Sequence, residues 1–499
     1  MDGYGVFSGL VPILVIGGII AAIVALARRR GGAEEAEEEE PGIGTLKRLY
    51  FYGLSFVALM VAAVGVTNMV DYVAERLFGS KALIGSEMQL ALALSLTLVG
   101  TPVWLFFWSL AQRSTRLFPG ETRALARKVY LYLVLGVSAA VVAFGLVSLL
   151  RWLLGAGAFN GTHVALPLAW GGVWAFHWRI ETLEGQRTEL TRSVRRLYAY
   201  ITSLYGLVML TKLLTSTGVA LWSNATRTAL SVALVGGLLW WWHWHRISRG
   251  DSESVLRRVY LYLFAILGGA LTTVVSLSIL LYNVLQWLIG EPDVASASAH
   301  FRFLPGVIAA LTTGAGVWRY HWAVVQQESH VAPEGLLAAR RVYRYIMAAL
   351  GLATLATGLV FLFSTVLGVL VPEAREKLVS TDWWRNPLTL AITLIVVGAP
   401  LWRFYWFGVQ QEAKTGGMEE RVALSRRVFI YLVFSIAVLV TLGNMSALLF
   451  MLLRDLLEGQ LSAQVLQETK WNIGTLLMAG TISVYYWLVL QEDRRATPT

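Results

Sequence analysis

Stretches of roughly 20 apolar residues recur along this chain between short polar runs, the length a helix needs to cross a hydrocarbon layer about 30 Å thick. The first, Val6 to Ala27, is followed by Arg28, Arg29 and Arg30. A secretory signal carries its charge before the apolar stretch and a small-residue cleavage site after it. The order here is reversed, so residues 1–30 are expected to be a retained anchor helix with its N-terminus outside. Residues 31–45 hold Glu34, Glu35 and Glu37 to Glu40 ahead of Pro41 and Gly42. This acidic linker has no apolar surface with which to offset the entropy of ordering.

Beyond it the pattern repeats. A basic pair followed by two aromatics two residues apart opens six segments, at Lys47-Arg48-Leu49-Tyr50-Phe51-Tyr52, Arg127-Lys128-Val129-Tyr130-Leu131-Tyr132, Arg195-Arg196-Leu197-Tyr198-Ala199-Tyr200, Arg257-Arg258-Val259-Tyr260-Leu261-Tyr262, Arg340-Arg341-Val342-Tyr343-Arg344-Tyr345 and Arg426-Arg427-Val428-Phe429-Ile430-Tyr431. Each opens a long apolar helix, and a variable polar loop then leads to a second apolar helix. Self-similarity of this kind marks a repeat architecture. The repeats take residues 46–123, 124–191, 192–253, 254–336, 337–422 and 423–499. Near its end each second helix carries tryptophans four apart on one face: Trp104 and Trp108, Trp174 and Trp178, Trp240 and Trp244, Trp318 and Trp322, Trp402 and Trp406, with Trp487 alone in the last. Gly100, Gly171, Gly236, Gly314 and Gly398 precede these pairs by one turn, where small residues let helices cross closely in lipid.

The expected fold is therefore all-α and polytopic, with about thirteen transmembrane helices: one anchor plus six two-helix repeats. Two spans per repeat bring all six copies into the membrane in the same direction, as parallel repeats.

Composition agrees with a bilayer as solvent. The chain is 56% apolar and 14% charged, against about 25% charged in soluble domains. With no cysteine, disulfides, thiolate nucleophiles, iron–sulfur clusters and Cys-ligated zinc are excluded. The net charge of +10 would suit nucleic acid if it were patchy. Most Lys and Arg instead lie on the side of the basic pairs, so that side is expected to be cytoplasmic and no nucleic-acid partner is implied. Localisation in the inner membrane follows, with the C-terminus in the cytoplasm.

Within a repeat, antiparallel packing brings the opening tyrosines and the closing tryptophans to one depth. Tyr50, Tyr130, Tyr198, Tyr260 and Tyr343, with the tryptophans above, are expected to form an interfacial aromatic layer in contact with membrane lipids. The residue before the second tryptophan reads Phe107, His177, His243, His321, Tyr405 and Tyr486, so ring shape alone is retained and no haem or metal cofactor is expected. Lys212, Asn68 and Asn444 are the intramembrane polar candidates. Lys212 is expected to reach outward to the headgroups, and Asn68, with Asp71 and Glu75 one turn apart, and Asn444 at a comparable depth, to bond between helices or to lie at the outer surface.

The opening Arg-Arg-Val-Tyr-x-Tyr and the closing Gly-x-Pro-x-Trp-x-x-x-Trp, as at Gly100 to Trp108 and Gly398 to Trp406, resemble a tandem-repeat bacterial integral-membrane family catalogued only as a domain of unknown function. The resemblance covers residues 46 to 495 and implies no activity, substrate or cofactor. The functional expectation is a non-enzymatic scaffold or accessory subunit, joined to other membrane subunits or to copies of itself. A channel or transporter with a conduit between the repeats is the alternative.

Overall fold

The computed structural model describes residues 44–79, 86–185, 187–215, 223–252, 254–328, 333–371, 382–415, 421–459 and 464–496. The expected anchor helix over 1–30, and the acidic linker up to residue 43, lie outside them.

The described residues are helical, without strands. Twelve long helices follow in order: α1 Thr45–Phe78, α2 Ser86–Leu117, α3 Leu125–Leu153, α4 Thr162–Glu184, α5 Glu189–Thr215, α6 Asn224–Trp241 with a π-turn over Trp242–Ile247, α7 Val255–Leu288, α8 Leu304–Glu328, α9 Pro333–Leu370, α10 Arg385–Thr415, α11 Leu424–Leu457 and α12 Gln464–Ala496. Nine of them are long and apolar enough to cross a membrane, and the chain is a multi-pass membrane protein. The other three, α4, α5 and α6, do not meet that measure of length and hydropathy.

Two compact units contain these helices, divided between Asp251 and Ser252. In the first, α1 packs along α2, α3 along α4 and α5 along α6; α1 also packs on α4, and α3 on α6. In the second, α7 packs along α8, α9 along α10 and α11 along α12; α7 also packs on α10, and α9 on α12. One rule describes both units: an opening helix lies against the closing helix of its own pair and against that of the next.

Close crossings make the pairing possible. A Cβ on Gly398 would sit 2.4 Å from the Leu355 backbone nitrogen, and one on Gly100 2.6 Å from that of Ala62. Gly236 and Gly314 are hemmed in likewise, by Leu210 and Thr273. Gly171 departs from the expectation: a Cβ there meets nothing within 4 Å.

Helix ends at the loop side are tied by side chains from neighbouring helices. Arg227 donates to the Leu154 and Gly155 carbonyls (3.0 and 2.9 Å), satisfying acceptors that the end of α3 leaves open. Glu75 of α1 accepts the Gly161 N–H at 2.7 Å ahead of α4, and Asp71 accepts from Gln89 of α2 at 2.7 Å.

Candidate functional site

The polar chemistry of the described helices gathers at the end where the basic pairs and the tryptophans meet. In the second repeat, His177 Nδ1 lies 2.8 Å from the Val173 carbonyl one turn back. A carbonyl only accepts, so Nδ1 carries the proton, and in the neutral ring Nε2 is an acceptor. It faces the Tyr130 hydroxyl at 3.1 Å. The third repeat repeats this geometry: His243 Nδ1 lies 2.8 Å from the Leu239 carbonyl and Nε2 2.9 Å from the Tyr198 hydroxyl. The fourth places His321 Nδ1 2.9 Å from the Val317 carbonyl and Nε2 3.5 Å from Tyr260. In the fifth, the Tyr405 hydroxyl takes the imidazole's place, 2.9 Å from Tyr343. The two outer repeats have a phenylalanine on one side of the pair, Phe107 against Tyr50 and Phe429 against Tyr486, and make ring contacts instead.

The same tyrosines join successive repeats. Trp104 Nε1 donates to Tyr130 at 3.4 Å and Trp174 Nε1 to Tyr198 at 3.2 Å. The second tyrosine of one opening helix packs with tilted rings against the first aromatic of the next, as in Tyr52 on Tyr130, Tyr132 on Tyr198, Tyr262 on Tyr343 and Tyr345 on Phe429.

An ion pair closes every repeat at this end. Arg48 meets Glu121 (2.7 Å), Arg196 meets Asp251 (2.7 Å), Arg257 meets Glu328 (2.5 Å), Arg344 meets Glu412, and Arg426 meets Asp493 (2.8 Å). In the second repeat Glu184 takes both Arg127 (Nε at 2.8 Å) and Lys128 (2.8 Å). The Arg127 guanidinium also donates to the Tyr52 hydroxyl and lies over the Trp108 ring.

These contacts change the reading of the aromatic layer. Tyr50 and Trp487 face outward, 57% and 43% exposed. Trp104, Trp174, Trp178, Trp240, Trp318, Trp322 and Trp402 are half-buried, and Tyr130, Tyr198, Tyr260, Tyr343, Trp108, Trp244 and Trp406 are buried. The face that carries tryptophans four apart is the face that adjoins the next helix, so most of this ring surface faces protein. Nor is ring shape all that the position before the second tryptophan retains: in four repeats it supplies a polar partner to the opening tyrosine. That signal lay in the sequence, because tyrosine pairs with His or Tyr in the four inner copies while phenylalanine enters only in the two outer ones. The carboxylates carried a signal as well: Glu184, Glu328, Glu412 and Asp493 each stand six residues after Trp178, Trp322, Trp406 and Trp487, and Glu121 and Asp251 alone depart from that spacing.

Of the intramembrane candidates, Asn68 is half-buried on α1, and Asn444 of α11 accepts from Asn472 of α12 at 3.5 Å. Lys212 lies in the last turn of α5, and its side chain is outside the described residues. Among the described residues no group of three or more His, Asp or Glu is placed to hold a metal ion. The His177 and His243 Nε2 lone pairs face tyrosine hydroxyls.

No curated protein and no solved structure matches the chain. One family profile does, over residues 48–170, 209–316 and 341–483, each match taking in parts of four consecutive helices. With most of its length so matched, the chain belongs to the repeat family described as Domain of unknown function (DUF5671).

Proposed function

We propose that this protein is a non-enzymatic scaffold or accessory subunit of a membrane assembly, built from an anchor helix and six parallel two-helix repeats, thirteen spans in all. On this reading it lies in the bacterial inner membrane with the ion-paired end in the cytoplasm. One observation carries it: the buried tyrosines, histidines and arginines at that end bond to one another across helices, an arrangement that holds repeats in register. Each buried polar group so matched stiffens the array. Its outer surfaces are left to lipid, to partner subunits or to further copies. Isolation in mild detergent from native membranes should yield the chain with partner subunits or as an oligomer. A lone monomer under every mild condition overturns the proposal.

A further inference from the structure

In the second unit a cavity of ≈ 530 Å³ lies between α9, α11 and α12. Its walls are largely apolar, with Ala353 and Val360 on α9, Ala437 and Val440 on α11, and Thr475 and Ala479 on α12. Along α9 the lining runs from Ala349 to Phe361, about 18 Å at 1.5 Å per residue. The volume is that of ligand sites, about 300–1,000 Å³, and the shape is a groove along the helices.

The groove opens sideways. Ile436 on its α11 wall is 53% exposed, and only 6% of the most apolar stretch of α11 is buried. Water is a poor occupant, because it needs two to four polar partners that such walls do not supply.

Polarity changes in a fixed order at one end. One turn beyond Val440 on α11 and one turn before Thr475 on α12 come Asn444 and Asn472. Asn472 donates to the Asn444 carbonyl (3.5 Å), and the Asn444 amide donates to the Val440 carbonyl (2.9 Å). An asparagine has two N–H donors and a carbonyl with two lone pairs, so these bonds leave one N–H on each amide for another acceptor. One further turn along α12, Glu468 pairs with Arg454 of α11 at 3.3 Å, and the same guanidinium holds Asp455 at 2.7 Å. Apolar groove, neutral amide pair and charged pair follow one another as acyl chain, ester linkage and ionic headgroup do in a phospholipid.

We infer that this groove is a phospholipid site, with one acyl chain between α9, α11 and α12, its ester carbonyl on the Asn444 and Asn472 amides, and its headgroup beside Arg454 and Glu468. The inference stands independently of the scaffold reading.

Native mass spectrometry of the full chain, released from mild detergent after reloading with phosphatidylglycerol or phosphatidylethanolamine, tests it. The wild type should retain one phospholipid. Ala353→Trp and Thr357→Phe, which fill the groove from exposed wall positions, should lose it, and circular dichroism identifies whichever variant is folded. Leu439→Trp, on the 68% exposed outer face of α11, should retain it. Asn444→Leu with Asn472→Leu should release it at lower collision energy. A wild type without phospholipid, a folded filled variant that still retains it, an unaltered release energy in the double variant, or a bound species with the mass and absorbance of a quinone overturns the assignment.

Discussion

Removing Glu184 exposes how much each closing ion pair contributes, because its partners are among the most enclosed cations of the described chain. Arg127 and Lys128 are 1% and 0% exposed, and Glu184 holds both. Glu184→Ala leaves two buried positive charges without their carboxylate. Breaking a buried pair from one side costs about 3–5 kcal/mol. Glu412, at the corresponding end of the fifth repeat, is 46% exposed. Its removal should cost no more than about 1 kcal/mol, as for exposed pairs. Titration of the purified protein from mild detergent into sodium dodecyl sulfate, followed by far-ultraviolet circular dichroism, ranks the two variants. Replacing the whole cluster at once (Arg127→Met, Lys128→Met, Glu184→Leu) should recover most of the loss, since apolar substitutes for buried ions are often neutral or favourable. Equal midpoints for Glu184→Ala and Glu412→Ala would refute the argument from burial.

In the same titration Gly398→Ala should destabilise by about 1–3 kcal/mol, because its methyl must part α9 from α10. Gly171→Ala, with open space at its Cβ, should be neutral or stabilise by up to about 1 kcal/mol. His243→Phe takes away the acceptor of the Tyr198 hydroxyl and should cost about 1–3 kcal/mol; adding Tyr198→Phe should then cost less than it does in the wild type, as a double-mutant cycle reads. Protein with His177, His243 and His321 all changed to Phe should match the wild type in showing no Soret band. The chain has no cysteine of its own, so single cysteines report sidedness: in intact spheroplasts an impermeant maleimide should label Ala158→Cys, and it should reach Arg249→Cys only after lysis.

What the sequence determined by itself is what hydropathy and period encode. Apolar length marks the helices, because an unpaired backbone in lipid is too costly for anything but a helix or a closed barrel. The recurring Arg-Tyr openings and Trp closings placed both ends of each helix pair at one depth, and four of the five glycines ahead of the tryptophans lie where helices cross. Gly171 shows the limit: local spacing marks a face suited to close approach but not whether a neighbour comes there. Tertiary structure alone decided which carboxylate meets which arginine, since Glu184, Glu328 and Asp493 reach their partners only once two helices fold back on each other. It also decided that Tyr130, Trp108 and His177 face other helices while Tyr50 faces outward. A helical period of 3.6 residues gives the face on which a side chain stands; the contents of the space beyond that face depend on helices distant in sequence.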